Sequence, residues 1–366
     1  MCFVSSPSPS DPLADRLAQL TLDLCRIDSV TGDEEVICAD LEERLASIGG
    51  LEVTRVGRSL AVRGPWRDRP KIALVGHTDT VPPHPGDPAP CLLRDQVLGL
   101  GSSDMKGGLA VMLALAEDLD LDALDYDLAW VFYDAEEGPF DGSGLGPLLK
   151  AVDWLQEVDL AFCLEPSDNV VQVGCVGTLH AQVTFHGRSA HSARPWQGEN
   201  AVHKAGTLLQ DLSELAPREV DCGGHIFKEV MSITEAKGGR ARNVVPESFE
   251  MNLNYRFAPN RTMADACAQV ESLVAGRAEV VFVDQSPAGR VVTDNSHFQD
   301  FVAQTGVSVT SKQAWTDVAR LAQVGVDAVN FGPGNSAQAH QAGETADIGL
   351  LADSYNLFRR FLSPEG

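Results

Sequence analysis

A histidine and an aspartate stand two positions apart, His77 and Asp79, where the apolar run 71–75 gives way to Gly76-His77-Thr78-Asp79-Thr80. In an extended chain residues i and i+2 point to the same side. The carboxylate can therefore orient the imidazole, an arrangement that fixes the tautomer of a metal-binding histidine and raises its basicity. Other acids close other apolar runs. Asp104 follows 98–103 and precedes the apolar helical stretch 109–116, Glu136 and Glu137 follow 127–133, Glu165 follows 160–164, and His340 stands late in the chain. Carboxylates gathered at one sheet edge repel each other unless cations sit among them. With imidazoles in the set, the donors suit a zinc-like metal better than calcium or magnesium, which prefer oxygen alone. Two such ions about 3.5–4 Å apart and sharing a carboxylate would generate hydroxide from water at neutral pH.

Positioning these groups requires an alternation of strand and helix. The runs 71–75, 127–133 and 160–164 read as buried strands, with helical stretches at 109–116 and 144–155 between them. That order implies an α/β fold with a mostly parallel sheet, whose ligands collect at the carboxyl ends of the strands. Ahead of it, 13–25 has helical spacing, Thr31 or Asp33 is placed to cap a second helix running to Leu45, and 51–56 with 59–63 alternates like a hairpin. From about Thr178 the texture changes to strand 179–186, helix 200–215, strands 226–236 and 248–257, helix 263–275 and strand 278–283. This is the split βαβ, ferredoxin-like pattern of a small α+β domain. Beyond Gly289 the α/β character returns with helices 296–305 and 317–324, strand 328–331 and a closing helix 350–362. The expected organisation is a catalytic domain in two parts, 1–177 and 289–366, interrupted by an inserted domain over 178–288.

Composition narrows the partners. With 52 acidic and 28 basic side chains the net charge is −24. Such a chain repels polyphosphate, so neither nucleic acid nor an anionic membrane is an expected partner; a salt-rich habitat produces the same acidity. The eight cysteines are scattered without a C-x-x-C pair, which reads as reduced thiols of a cytoplasmic protein. Residues 1–12 are rich in serine and proline and read as a frayed leader, lacking the basic and apolar regions of a signal peptide. No apolar run reaches the roughly 18 residues of a membrane span. Gly99-Leu100-Gly101 lacks the third glycine of a dinucleotide loop.

The strand ending Gly76-His77-Thr78-Asp79-Thr80-Val81-Pro82, the turn Gly101-Ser102-Ser103-Asp104-Met105-Lys106-Gly107-Gly108, the Glu136-Glu137-Gly138 pair and Glu165-Pro166 together resemble the di-zinc aminoacylase/carboxypeptidase family. Its members hydrolyse amide bonds of N-acyl amino acids and small peptides. Within it, three regions are most similar to the actinobacterial-type succinyl-diaminopimelate desuccinylases: 191–196 with 198–201, 251–261, and 315–320 with 330–332. The sequence departs from them after His340, where Gln341-Ala342-Gly343-Glu344 stands in place of a basic residue followed by acids. The resemblance implies two Zn2+ ions, replaceable by Co2+, with Asp104 bridging them. Glu137 and His340 would complete one site, and His77 and Glu165 the other. It implies Glu136 as general base, Asp79 as the support of His77, and a cis peptide after Asp104. It further implies a homodimer through the inserted domain, with His191 reaching the partner's site to stabilise an oxyanion. Asn243 and Arg256 would bind the carboxylate of a small anionic N-acyl amino acid. The expected reaction is hydrolysis of N-succinyl-diaminopimelate. Deacylation of another N-acyl amino acid such as N-acetylornithine, a small carboxypeptidase, and a catalytically silent metabolite-binding relative are the other readings.

Overall fold

A computed structural model describes residues 11–363. The chain forms two compact units. Of the described residues, one takes those up to Val173, the segment Val292–Thr310 and those from Arg320 on; the other takes Gly174–Val291 and Ser311–Ala319.

The first unit is built on an eight-stranded sheet in the order Glu52–Val56, Ser59–Arg63, Asp127–Tyr133, Lys71–His77, Leu160–Cys163, Ala328–Asn330, Val171–Val173, Val309–Ser311. The four central strands, from Asp127–Tyr133 to Ala328–Asn330, run parallel. The Glu52–Val56 and Ser59–Arg63 hairpin joins them antiparallel, as does Val171–Val173 on the other side. Strands Lys71–His77 and Asp127–Tyr133 are buried along nearly their whole length, which is why both read as continuous apolar runs rather than alternating ones. Helix Gly107–Asp118 is buried all round over Gly107–Ala116, as expected of a helix that is apolar on every face. It packs with Pro12–Cys25 and Ile348–Leu362. Phe162, Phe301, Phe331, Phe358 and Phe361 stack edge to face or tilted between the sheet and the last helices.

Local signals decide the boundaries. Asp11 caps the first helix by accepting from the Leu13 N–H at 3.0 Å, so the leader read over 1–12 overruns by two residues; residues 1–10 of it lie outside the described chain. Neither Thr31 nor Asp33 caps the second helix, Glu35–Ala46. Glu34 occupies that position without a side-chain cap, because its carboxylate is turned to the Gly32 N–H and Arg58. The short strands Cys91–Leu92, Gln96–Leu98 and Thr345–Asp347 form a further small sheet, invisible to periodicity at two or three residues each.

The second unit carries a five-stranded antiparallel sheet in the order Arg218–Cys222, His225–Gly238, Ser248–Phe257, Gly177–His186, Glu279–Ser286. Its core joins Leu179, Ala181, Val183 and Phe185 to Leu208 and Leu212 of helix Ala201–Glu214 and to Val270 of helix Met263–Val274. Without Arg218–Cys222 the order is that of the split βαβ pattern; the additional strand extends one edge as a hairpin. The intervening residues of Gly177–His186 and Ser248–Phe257 are polar. There the ring of His180 meets Asn252 Nδ2 at 3.0 Å and Asn254 Nδ2 at 2.9 Å. Among the described residues no disulfide joins the cysteines, and no helix is long and apolar enough to cross a membrane.

Candidate metal centre

The centre lies at the carboxyl end of the parallel strands of the first unit. Lys71–His77 ends on His77, and Asp79 follows fully buried. One oxygen of Asp79 accepts the Glu136 N–H at 2.9 Å; the other accepts the Glu137 N–H at 3.1 Å and the Thr31 hydroxyl at 2.8 Å. Ala135 adopts φ +56° just before them. This left-handed conformation is unfavourable for a residue with a Cβ, and the two successive N–H groups that follow it go to the two oxygens of one carboxylate. Asp79 thus anchors the turn that carries both acids.

The i, i+2 spacing places the Asp79 carboxylate as the group that orients His77. In the structure the nearer partner of Nδ1 is the Asp79 main-chain carbonyl, at 3.1 Å, with the carboxylate oxygen at 3.5 Å. The strand ends at His77, and both the carbonyl and the carboxylate of Asp79 lie on the Nδ1 side of its ring. A proton on Nδ1 satisfies this carbonyl and leaves the Nε2 lone pair for a ligand.

Asp104 sits in the turn Ser102–Lys106, where Asp104 and Met105 depart from helical geometry and are joined by a cis peptide. Its Oδ1 lies 3.2 Å from His77 Nε2 and its Oδ2 lies 3.7 Å from His340 Nε2. His340 Nε2 is also 2.9 Å from Glu137 Oε1. Donor atoms of His77, Asp104 and Glu137 all lie within 4.8 Å of one another. Glu165 is buried two residues beyond strand Leu160–Cys163. That strand pairs in parallel with Lys71–His77, Val75 opposite Cys163, and the Leu164 N–H donates to the Val75 carbonyl at 2.9 Å. Glu165 therefore shares the sheet edge with His77.

Electrostatics favour positive charge throughout this cluster. Burial opposes protonation of His77, yet Asp104 and Asp79 outweigh it and raise its pKa well above 6.5. His340 is likewise raised by Glu137 and Asp104 against the effect of burial. Burial, and then the Asp104 charge, push the Glu137 carboxyl up despite the two imidazoles. Burial also works against ionised Asp79, but His77, the Glu136 N–H and Thr31 hold it below 3.8. A field that draws protons onto imidazoles draws cations equally, and metal binding competes with those protons. Imidazole nitrogen with carboxylate oxygen is the donor set of zinc-like ions, so the residues present fit such a metal.

Residues that periodicity and strand ends did not mark complete the surroundings. Thr31, expected at a helix cap, holds Asp79. The His84 Nε2 lies 3.1 Å from the His340 carbonyl. Asp87 accepts the Gly343 N–H at 3.0 Å and the His84 N–H at 2.8 Å, so the proline-rich loop steadies the turn on which His340 stands at φ +60°. Glu344 is buried beneath the Asp104 turn. None of these lies in an apolar run, so no spacing argument reaches them.

The other expected site residues belong to the second unit. His191 is exposed, bridges Val244, and accepts the Ala193 N–H at Nδ1 at 3.0 Å. Asn243 neighbours it, its carbonyl accepting the Ser192 N–H at 2.9 Å. Arg256 lies on strand Ser248–Phe257, its Nε donating to Asn254 Oδ1 at 3.2 Å and a terminal nitrogen to the Thr178 hydroxyl. Trp196 is exposed, whereas the Trp315 indole N–H donates to the Pro287 carbonyl at 2.9 Å.

A parallel sheet presenting imidazoles and carboxylates of this kind at its carboxyl edge defines a metallohydrolase. The chain belongs to Peptidase family M20/M25/M40, whose model matches residues 73–363. It is 36% identical over 347 residues to a Mycobacterium tuberculosis protein named "Putative succinyl-diaminopimelate desuccinylase DapE", covering 94% of this chain and 97% of that one. It is 33% identical to the succinyl-diaminopimelate desuccinylase of Corynebacterium glutamicum, covering 96% and 97%. Among solved structures, the aminopeptidase PepT of Bacillus cereus shares the fold with a TM-score of 0.79 at 19% identity, covering 95% of this chain and 98% of that one. A dinuclear metal binding peptidase of the M20 family from Bacillus subtilis does so at 0.68 and 16%, covering 95% and 97%.

Proposed function

We propose that this chain is a zinc-dependent amidohydrolase that cleaves N-succinyl-LL-2,6-diaminopimelate to succinate and LL-2,6-diaminopimelate in the cytoplasm. The observation that carries the reading is Asp104, one carboxylate whose two oxygens face two different imidazoles. The substrate follows from the names of relatives matched over nearly the whole chain.

Asp104 would span two ions, with Glu137 and His340 completing one site and His77 and Glu165 the other. When bound, the ions would supply Lewis acidity toward water and toward the amide carbonyl. Glu136 holds no metal in this scheme. It takes a proton from the attacking water and returns it to the leaving amine as the C–N bond breaks. Its backbone N–H donates to Asp79 at 2.9 Å, so the turn that carries its carboxylate is held in place. In the neutral ring of His191, Nδ1 is occupied as an acceptor, so Nε2 carries the proton and can donate to the oxyanion of the tetrahedral intermediate. Arg256, held by Asn254 and Thr178, presents a planar fork suited to a substrate carboxylate, with Asn243 as a further polar contact.

We place His191 in the partner's site of a homodimer formed through the inserted domain. Mixing His191→Ala with Glu136→Ala tests this. Random reassortment makes half the dimers mixed, each with one intact site, so roughly a quarter of wild-type activity returns. No return after confirmed reassortment would mean that His191 does not serve the partner.

A hydrolysis panel of N-succinyl-diaminopimelate, N-acetylornithine and small peptides tests the substrate. The succinylated diamino diacid should show the highest kcat/KM. Faster turnover of any other member would reassign it.

A further inference from the structure

The segment that delivers His340 also carries a buried carboxylate that takes no part in the reaction proposed above. Glu344 is 3% exposed. Its Oε2 accepts the Gly101 N–H at 2.7 Å, and its Oε1 accepts the N–H groups of Ser103 and Asp104, each at 2.8 Å. Its own carbonyl accepts the Gly99 N–H at 3.0 Å. Directly after it, Thr345–Asp347 pairs antiparallel with Gln96–Leu98, Thr345 opposite Leu98. A short ladder therefore sets the register, and the Glu344 carboxylate grips the turn that the ladder leads into.

The turn needs an external acceptor. Gly101 stands at φ +76°, and Asp104 and Met105 are not helical, so the N–H groups of 101, 103 and 104 are not part of a regular ladder. A carboxylate accepting several N–H groups at once makes charge-assisted bonds, stronger and more directional than neutral ones. Glu344 and Asp104 are both acidic and meet at this turn, so like charges stand close together. A nearby cation relieves that repulsion. The carboxylate thus meets the turn from one side while His340, four residues earlier, faces Asp104 Oδ2 at 3.7 Å.

We propose that Glu344 is a positioning residue of the metal centre, fixing the Asp104 carboxylate between the two imidazoles by binding the backbone of its turn. The proposal rests on the reading of His77, Asp104, Glu137 and His340 as metal ligands.

The test uses the full-length protein stripped of metal. Zinc affinity is measured by competition with a chromophoric chelator, cobalt loading by visible absorption, and folding by the melting temperature of the metal-free form. In Glu344→Gln the amide offers one acceptor oxygen and turns an NH2 group toward an N–H donor. Zinc affinity should fall about 10–100-fold, the usual effect of losing a partner that orients a ligand, and the cobalt spectrum should change. Glu344→Asp keeps the charge but withdraws it by one methylene, and it serves if the amide variant does not fold; it should weaken zinc binding in the same direction. Wild-type zinc affinity and an unchanged cobalt spectrum in either folded variant, even with a lowered melting temperature, would reduce Glu344 to a structural role and overturn the proposal. Failure of the wild-type protein itself to bind zinc would be a different result. It would remove the metal centre and this inference together.

Discussion

Asp79→Asn isolates how far the centre depends on one buried carboxylate. Asp79 accepts N–H groups from Glu136 and Glu137 on different oxygens, along with the Thr31 hydroxyl. An amide of the same shape retains one oxygen. Whichever way it is turned, its NH2 group faces one of those backbone donors. Leaving a buried donor unpaired costs about 1–3 kcal/mol. The Thr31 hydroxyl can rotate to accept from the amide, so the cost falls on the backbone turn at Glu136 and Glu137. If the turn shifts to escape it, transition-state stabilisation is lost by a similar amount, about 5–160-fold in kcat/KM at 1.36 kcal/mol per decade. The assay is steady-state amide hydrolysis at saturating metal, with melting temperature recorded in parallel. The reasoning requires a lower kcat/KM with metal still bound. An unchanged kcat/KM in a folded, metal-loaded variant would show that Ala135–Glu137 is held by something other than Asp79.

Glu136→Gln should keep full metal occupancy by elemental analysis yet lose about 10²–10⁴-fold in kcat; a loss of metal instead would make Glu136 a ligand. Arg256→Ala should raise KM for the succinylated, multiply anionic substrate, through loss of a charge-assisted contact of about 1.5–3 kcal/mol, and should spare a neutral N-acyl substrate. Equal losses on both would leave Arg256 with only its bonds to Asn254 and Thr178. Glu229 in the second unit gives a pH prediction. Burial alone would raise its pKa, but the Ala258 N–H, Arg218 and Arg261 outweigh burial and hold it below 4.5. The unfolded state then binds the proton more readily, so the stabilisation is present above that pH and is lost as pH falls through the depressed value. Glu229→Gln should therefore destabilise by about 1.5–3 kcal/mol at neutral pH, measured by denaturant unfolding, and the gap to wild type should close in acid.

The architecture is legible where a strand is apolar throughout or alternates cleanly. The apolar run 127–133 coincides with the strand Asp127–Tyr133, and the alternating run 248–257 with Ser248–Phe257. Strands Cys91–Leu92, Val171–Val173 and Thr345–Asp347 were not legible; they are too short to show a period and are defined by their pairing partners. The same divide runs through the site. His77, Asp104, Glu137 and Glu165 announce themselves by ending apolar runs, and the structure brings the first three into one cluster. His340 carried no such local signal, and its approach to Glu137 spans 203 positions of sequence. Thr31 and Asp33 both read as candidate helix caps, because a short polar side chain ahead of an acidic turn is the usual sign of one. In the fold Thr31 meets Asp79 across 48 positions. Glu344 is a lone acid in a polar stretch, and only the pairing of Thr345–Asp347 with Gln96–Leu98 brings it under the Asp104 turn.

The central claim is that a paired metal site hydrolyses a succinylated diamino diacid. Turnover of N-succinyl-LL-2,6-diaminopimelate, followed while zinc is titrated into the metal-free protein, tests it most directly. The account predicts no hydrolysis without metal, and activity that rises with added zinc and saturates as both sites fill. A folded, zinc-saturated protein that leaves this amide intact, or one that cleaves it at full rate with all metal removed, would contradict it.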